Sequence, residues 1–189
     1  MNPELQRYIW LELSTQRLVL MPLIQILFFT VLLAGQYYGD PTDLASTAFW
    51  LVVLLGGAWG TRLAGEAVID EVNAGTWDQQ RLSSLSPWSM TWGKLVGAPV
   101  FTWYGCIPLL LVIVVCMALD EGASSAAFFG MMTLLMVVSS HAVSLLASLH
   151  TTLHGTVLSR RVSFGLQLTG LMALTPWALL LSFDLSAGF

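Results

Sequence analysis

The sequence predicts an all-α integral membrane protein, and three observations carry that expectation. Of 189 residues, 56% are hydrophobic and only 10% charged, against about 25% charged in an ordinary soluble domain. Mean hydropathy is +0.76, an apolar excess that a water-soluble core does not absorb. Five apolar runs, at about 18–38, 44–61, 95–119, 123–149 and 162–183, are long enough to cross a hydrocarbon core, which takes about 20 helical residues. An open chain in lipid must close its backbone hydrogen bonds internally, so each run is read as a helix. The expected architecture is an N-terminal interfacial amphipathic helix, five transmembrane helices, and a polar region between the second and third.

Residues 1–17 form the leader. Asn2 can cap a helix and Pro3 suits its first position, where a missing N–H costs nothing. Leu5, Tyr8, Ile9 and Leu13 fall on one stripe, with Glu4, Arg7, Gln16 and Arg17 off it. Such a moment suits a helix lying on a membrane surface or packed on its own bundle. Because this polar leader precedes the first apolar run, no cleavable secretory signal is expected.

The joints between spans alternate in character. Gly39-Asp40-Pro41-Thr42-Asp43 and Asp120-Glu121-Gly122 are acidic and hold no Lys or Arg. Arg7, Arg17, Arg62, Arg81, Lys94, Arg160 and Arg161 account for all seven cations, and all fall on the other side. The positive-inside rule makes that side cytoplasmic, with the N-terminus inside and the acidic turns outside. A net charge of −4 with scattered cations offers no nucleic-acid surface.

Within the spans most distinctive residues read as packing. Gly56, Gly60 and Ala64 line a small-residue face that admits another helix closely. Pro99 and Pro108 are expected to kink the third span. Trp88, Trp92 and Trp103 read as interface anchors and packing aromatics. Cys106 and Cys116 share one apolar run without metal or redox spacing.

The region 62–94 is the polar island. The second span is expected to continue as a helix past Arg62, Glu66, Asp70 and Glu71 until Asn73-Ala74-Gly75 breaks it. Thr76 with Gln79 fits a capping box, so a new helix should start at Trp77. It would present Trp77, Arg81 and Leu85 on one broad face, with Leu82 beside it, and Asp78 favourably placed near its N-terminus. Ser86-Pro87 repeats the start signal and opens the return to the membrane through Trp88, Trp92 and Lys94.

ABC-2-type transporter permeases typically carry here an acidic residue, a short spacer, Gly-Thr, an apolar residue and an acid, then a Leu-rich turn, a Pro and a Gly-Lys. Glu71, Gly75, Thr76, Trp77, Asp78, Leu82, Pro87, Gly93 and Lys94 fall in that order, and the chain resembles that family. Trp77 stands where Leu is usual, and the Gly-to-Pro spacing is longer than the commonest by about a helical turn. The likeness extends to the leader ending near Arg17 and to the Ser-rich, His-containing stretch before Arg160-Arg161.

The resemblance implies the membrane subunit of an ABC exporter, with a short coupling helix that docks in a groove of a separate ATPase subunit. It assigns that coupling to Glu71, Gly75, Thr76, Trp77, Asp78, Arg81, Leu82 and Leu85, with Trp77 as the apolar anchor. It also implies a second permease copy, identical or related, and residence in the bacterial inner membrane. No cofactor is expected in this chain; ATP and Mg²⁺ belong to the partner. Family members usually have six spans with both termini inside, whereas five spans would put this C-terminus outside. Alternatives are a haem-exporter-like membrane subunit of cytochrome c maturation, a non-transporting scaffold that recruits a soluble partner, and, weakest, an intramembrane enzyme.

Chemistry within the chain itself is not expected. Gly93-Lys94 is followed by Leu95 and lacks the upstream glycine and Ser/Thr of a phosphate-binding loop, so ATP hydrolysis falls to a partner. His150 and His154 stand one helical turn apart but lack a nearby acid to complete a metal site. His141 lies deeper in the fourth span and reads as a neutral histidine bonded to a neighbouring helix, beside Ser139 or Ser140.

Overall fold

A computed structural model describes residues 2–34, 41–83, 85–153 and 160–177. The leader is α1 (Pro3–Glu12) and the first apolar run is α2 (Thr15–Ala34). Then α3 (Pro41–Val52) continues through a π-helical segment (Val53–Gly60) into α4 (Thr61–Asn73). The island holds α5 (Trp77–Arg81) and α6 (Pro87–Gly97), followed by α7 (Val100–Asp120), α8 (Ala123–Leu153) and α9 (Arg160–Met172). No strand occurs among the described residues.

Four helices among these residues are long and apolar enough to cross a membrane: Thr15–Ala34, Pro41–Asn73, Val100–Asp120 and Ala123–Leu153. The fifth expected run, 162–183, coincides with most of α9 and leaves the described residues after 177. The third run is divided: Pro99 lies in a turn between α6 and α7, whereas Pro108 sits inside α7 without ending it.

The core lies where α3 packs on α7 and α7 in turn packs on α8. Ala45, Ala48, Phe49 and Val52 meet Leu109, Ile113 and Met117 of α7, and Met136 and Val137 of α8 extend the same cluster. The small-residue face serves this internal packing. A Cβ on Gly56 would stand 2.9 Å from Cys106 Sγ, and one on Gly60 would fall on the His141 ring and 2.8 Å from Thr102 Oγ1. By contrast α2 buries none of its residues. It is fastened to α7 by Tyr104, whose hydroxyl donates to the Leu18 carbonyl at 2.8 Å, and by Gln25 Nε2 donating to the Gly105 carbonyl at 2.8 Å.

The two ends of the bundle differ as the charge pattern implies. Thr42 Oγ1 donates to Asp120 Oδ2 at 3.1 Å, so the joints beginning α3 and ending α7 share one end. At the far end of the Pro41–Asn73 helix, 33 residues long, stand α1, α5, α6 and a cluster of paired charges.

A buried ion cluster behind the Gly75 turn

The cluster is assembled by local rules from α1, α4, α5 and α6. In α1, the Asn2 side chain accepts from the Glu4 N–H at 3.0 Å and Pro3 holds the first position. Asn2 Nδ2 also donates to the Ser89 carbonyl at 2.6 Å, which ties α1 to the first turn of α6. Ser86 caps α6 by accepting from the Ser89 N–H at 3.2 Å, with Pro87 behind it. Two glycines one turn apart let α1 lie close: a Cβ on Gly93 would overlap the Glu4 side chain, and one on Gly97 would stand 2.8 Å from the Tyr8 ring. The predicted stripe of Leu5, Tyr8, Ile9 and Leu13 is half-buried accordingly. Glu4 departs from expectation, since it faces inward and is 6% exposed.

Lys94 accounts for that inward carboxylate. The residue is 3% exposed, and its ammonium donates to Glu4 Oε1 at 3.2 Å, to Gln80 Oε1 at 3.1 Å and, more closely still, to Glu71 Oε2. All three N–H groups of the ammonium are thereby used. Arg7 donates from the solvent side to Glu4 Oε1 and Glu71 Oε1, each at 2.7 Å. Gln80 Nε2 completes the cluster by donating to Glu71 Oε1 at 2.9 Å. Two carboxylates and two cations balance in charge. Charges this deep persist only when paired and hydrogen-bonded. Burial opposes the Arg7 charge, but Glu4, Tyr8 and Glu71 outweigh it and its pKa rises. Burial and the Glu71 carboxylate push the Tyr8 hydroxyl upward too.

Glu71 also belongs to the turn through its backbone. The Thr76 N–H donates to the Glu71 carbonyl at 3.0 Å and the Gly75 N–H to the Val72 carbonyl at 3.1 Å. With Gly75 at φ +70°, this is the Schellman closure of a helix, and it requires the left-handed conformation that glycine adopts freely. The capping box expected at Thr76 does not form. Thr76 is in helical geometry and caps nothing; its hydroxyl donates back to the Glu71 carbonyl at 3.2 Å. A strong C-cap therefore took the side chain that sequence spacing assigned to an N-cap.

The new helix does start at Trp77, yet α5 ends at Arg81, so Leu85 lies beyond it. Arg81 closes the helix, and its side chain is outside the described set. Trp77 is half-buried. Its ring lies under the Lys94 ammonium at 5.9 Å and helps line a cleft of about 380 Å³ with Leu85, Pro87, Met90, Leu145 and Leu149. Asp78 and Leu82 face outward, and Leu82 is 88% exposed. Glu71, Gly75, Thr76 and Trp77 are thus brought together around the turn, Asp78 and Leu82 form its outer surface, and Leu85 sits apart in the cleft.

Sequence reasoning missed Glu4, Arg7 and Gln80 as members of this site and read Lys94 only as part of the return to the membrane. Two signals pointed to them. Glu4 and Arg7 are spaced to share a helix face, and Lys94 stands alone among apolar neighbours, where a cation needs an acid. Elsewhere, His141 is fully buried, with Nε2 2.8 Å from the Gly56 carbonyl inside the π-helical segment. A carbonyl only accepts, so Nε2 carries the hydrogen. Trp103 meets the ring edge-on at 5.1 Å, and Thr61 Oγ1 donates to Ser140 Oγ at 2.9 Å next door. Among the described residues, no group of three His, Cys, Asp or Glu is placed to hold a metal; His154 lies outside them. Comparison with protein-family models, with curated proteins and with solved structures finds no match to this chain.

Proposed function

We propose that the chain is the transmembrane subunit of an ABC-2-type exporter, coupled through residues 62–94 to a separate ATPase. The N-terminus and the ion cluster would lie on the cytoplasmic side of a bacterial inner membrane, as the one-sided cations favour. The fifth span would complete the bundle from α9 onward, and a second permease copy would complete the path.

One observation carries the reading. A five-residue helix, α5, is displayed at the end of a long apolar helix with Leu82 pointing out, while Gln80 and Trp77 hold its inner side to Lys94. An element meant only to reconnect two spans needs no ion cluster behind it. An element that receives force needs a rigid back and an apolar tip, because a few buried apolar anchors supply most of the energy of a small interface. In this arrangement Leu82 is the knob offered to the ATPase, with Asp78 beside it, and Trp77 stiffens the seat. Closure of the ATPases on ATP would then bias the bundle between inward- and outward-open states through differential contact with the turn.

The test is reconstitution. Membranes from cells expressing the chain together with a candidate ABC ATPase should yield a complex whose ATP hydrolysis is altered by the permease. A chain that purifies without any ATPase, from cells where such a partner is abundant, would favour a scaffold instead.

A further inference from the structure

The ammonium that steadies α5 is the same one that holds the N-terminal helix. We infer that Lys94 is a positioning residue that latches α1, the Gly75 turn with α5, and α6 into a single mechanical unit, so that displacing the turn displaces α1. The inference concerns the chain's own moving parts and holds whatever docks on α5.

Connectivity is the argument. From α5, Gln80 reaches Lys94 at 3.1 Å and Glu71 at 2.9 Å. From α1, Glu4 reaches Lys94 at 3.2 Å, and Arg7 bridges Glu4 to Glu71 at 2.7 Å on each side. Among the described residues no hydrogen bond joins Gln80 to α1 directly; its bonds reach α1 through Lys94 and Glu71. Glu71 cannot shift to relieve a pull on α5, because its own carbonyl accepts the Thr76 N–H and hydroxyl that close the turn. On the far side α1 is seated on α6 at Gly93 and Gly97 and tied by Asn2 to the Ser89 carbonyl. A shift of α5 must either break two hydrogen bonds to Gln80 or carry Lys94, and with it Glu4. The bonds inside the cluster are charge-assisted, about twice the strength of neutral ones, and those from Lys94 to Glu4 and Glu71 are buried. The chain therefore has the means to report the position of the turn at its own N-terminus.

Spin labels test this in the full chain, in detergent, on a background lacking Cys106 and Cys116. One pair joins α1 to the end of α8, at Trp10→Cys (80% exposed) and Leu153→Cys (76% exposed); the other joins the turn to the same reference, at Leu82→Cys and Leu153→Cys. Glu4→Gln keeps the volume and touches no α5 residue, yet it should broaden the Leu82–Leu153 distance distribution. Gln80→Leu should reciprocally broaden the Trp10–Leu153 distribution, and Lys94→Arg should keep both narrower than Lys94→Met does. A purely local response, in which either substitution disturbs only its own element, would overturn the latch.

Discussion

Removing the Lys94 ammonium is the sharpest perturbation the cluster allows. Lys94→Met keeps an unbranched apolar stem and deletes the charge that lies over the Trp77 ring. Glu4 and Glu71, 6% and 5% exposed, would then share only the Arg7 guanidinium, which bonds to one oxygen of each. Removing one partner of a buried ion pair costs about 3–5 kcal/mol, because the other charge is left uncompensated. Arg7 is half-exposed and retains both carboxylates, so the lower end of about 3 kcal/mol applies here. For a chain of this length each kcal/mol is worth roughly 2–4 °C in Tm, which gives a fall of roughly 6–12 °C in thermal unfolding followed by circular dichroism in detergent. Glu71→Gln alone should cost a similar amount, by leaving Lys94 and Arg7 to share the single Glu4 carboxylate. The double variant should lose less than the sum of the two, with a coupling of about 0.5–3 kcal/mol for residues in one network. Additive losses, or a Lys94→Met chain that melts with the wild type, would refute the cluster as the joint of this region.

Gly75→Val should leave the protein in the membrane at near-normal abundance while abolishing the proposed transport, since the left-handed conformation at φ +70° costs an L-residue roughly 1–2 kcal/mol and nothing stands within 4 Å of the new Cβ; full activity in that variant would remove the reason to treat the turn as special. Gly60→Ala should lower Tm by several degrees, because its Cβ would fall on the His141 ring and Thr102 Oγ1, and overpacking a core costs about 1–3 kcal/mol. In sealed cells lacking Cys106 and Cys116, an outside thiol reagent should label Asp43→Cys and Glu121→Cys but not Arg81→Cys or Arg161→Cys; labelling at 81 would invert the proposed topology. Leu82→Ala should weaken ATPase recovery about thirtyfold if it removes an anchor worth about 2 kcal/mol, whereas Trp50→Ala, on α3, should not.

Much of the architecture was legible because lipid as a solvent leaves few choices. Apolar runs of sufficient length must be helices, and four of them are, from Thr15, Pro41, Val100 and Ala123. Caps with a local mechanism were also readable: Asn2-Pro3, Ser86-Pro87 and the break at Gly75 each appear where their chemistry puts them. Thr76 was misread because two local motifs compete for one side chain, and the preceding helix's Schellman closure won. Residues joined across the fold were the hardest to see. Glu4 and Lys94 are 90 positions apart, so no periodicity links them, and a stripe drawn on α1 alone puts Glu4 on the wrong face. The same holds for Trp77: spacing marks it as an exposed anchor, but only packing reveals Lys94 over its ring and the cleft it shares with Leu145 and Leu149 of α8.

A photo-crosslinking amino acid at position 82 addresses the exporter reading most directly. Leu82 stands clear of the bundle, so a crosslinker there reports what meets the outer face of the turn in living cells. A covalent adduct with a protein carrying a phosphate-binding loop, identified by mass spectrometry and absent when the crosslinker is moved to Trp50, is the expected result. An ATPase that co-purifies with the chain but crosslinks at position 50 and not at 82, or crosslinking at 82 that yields only lipid, would contradict coupling through this turn.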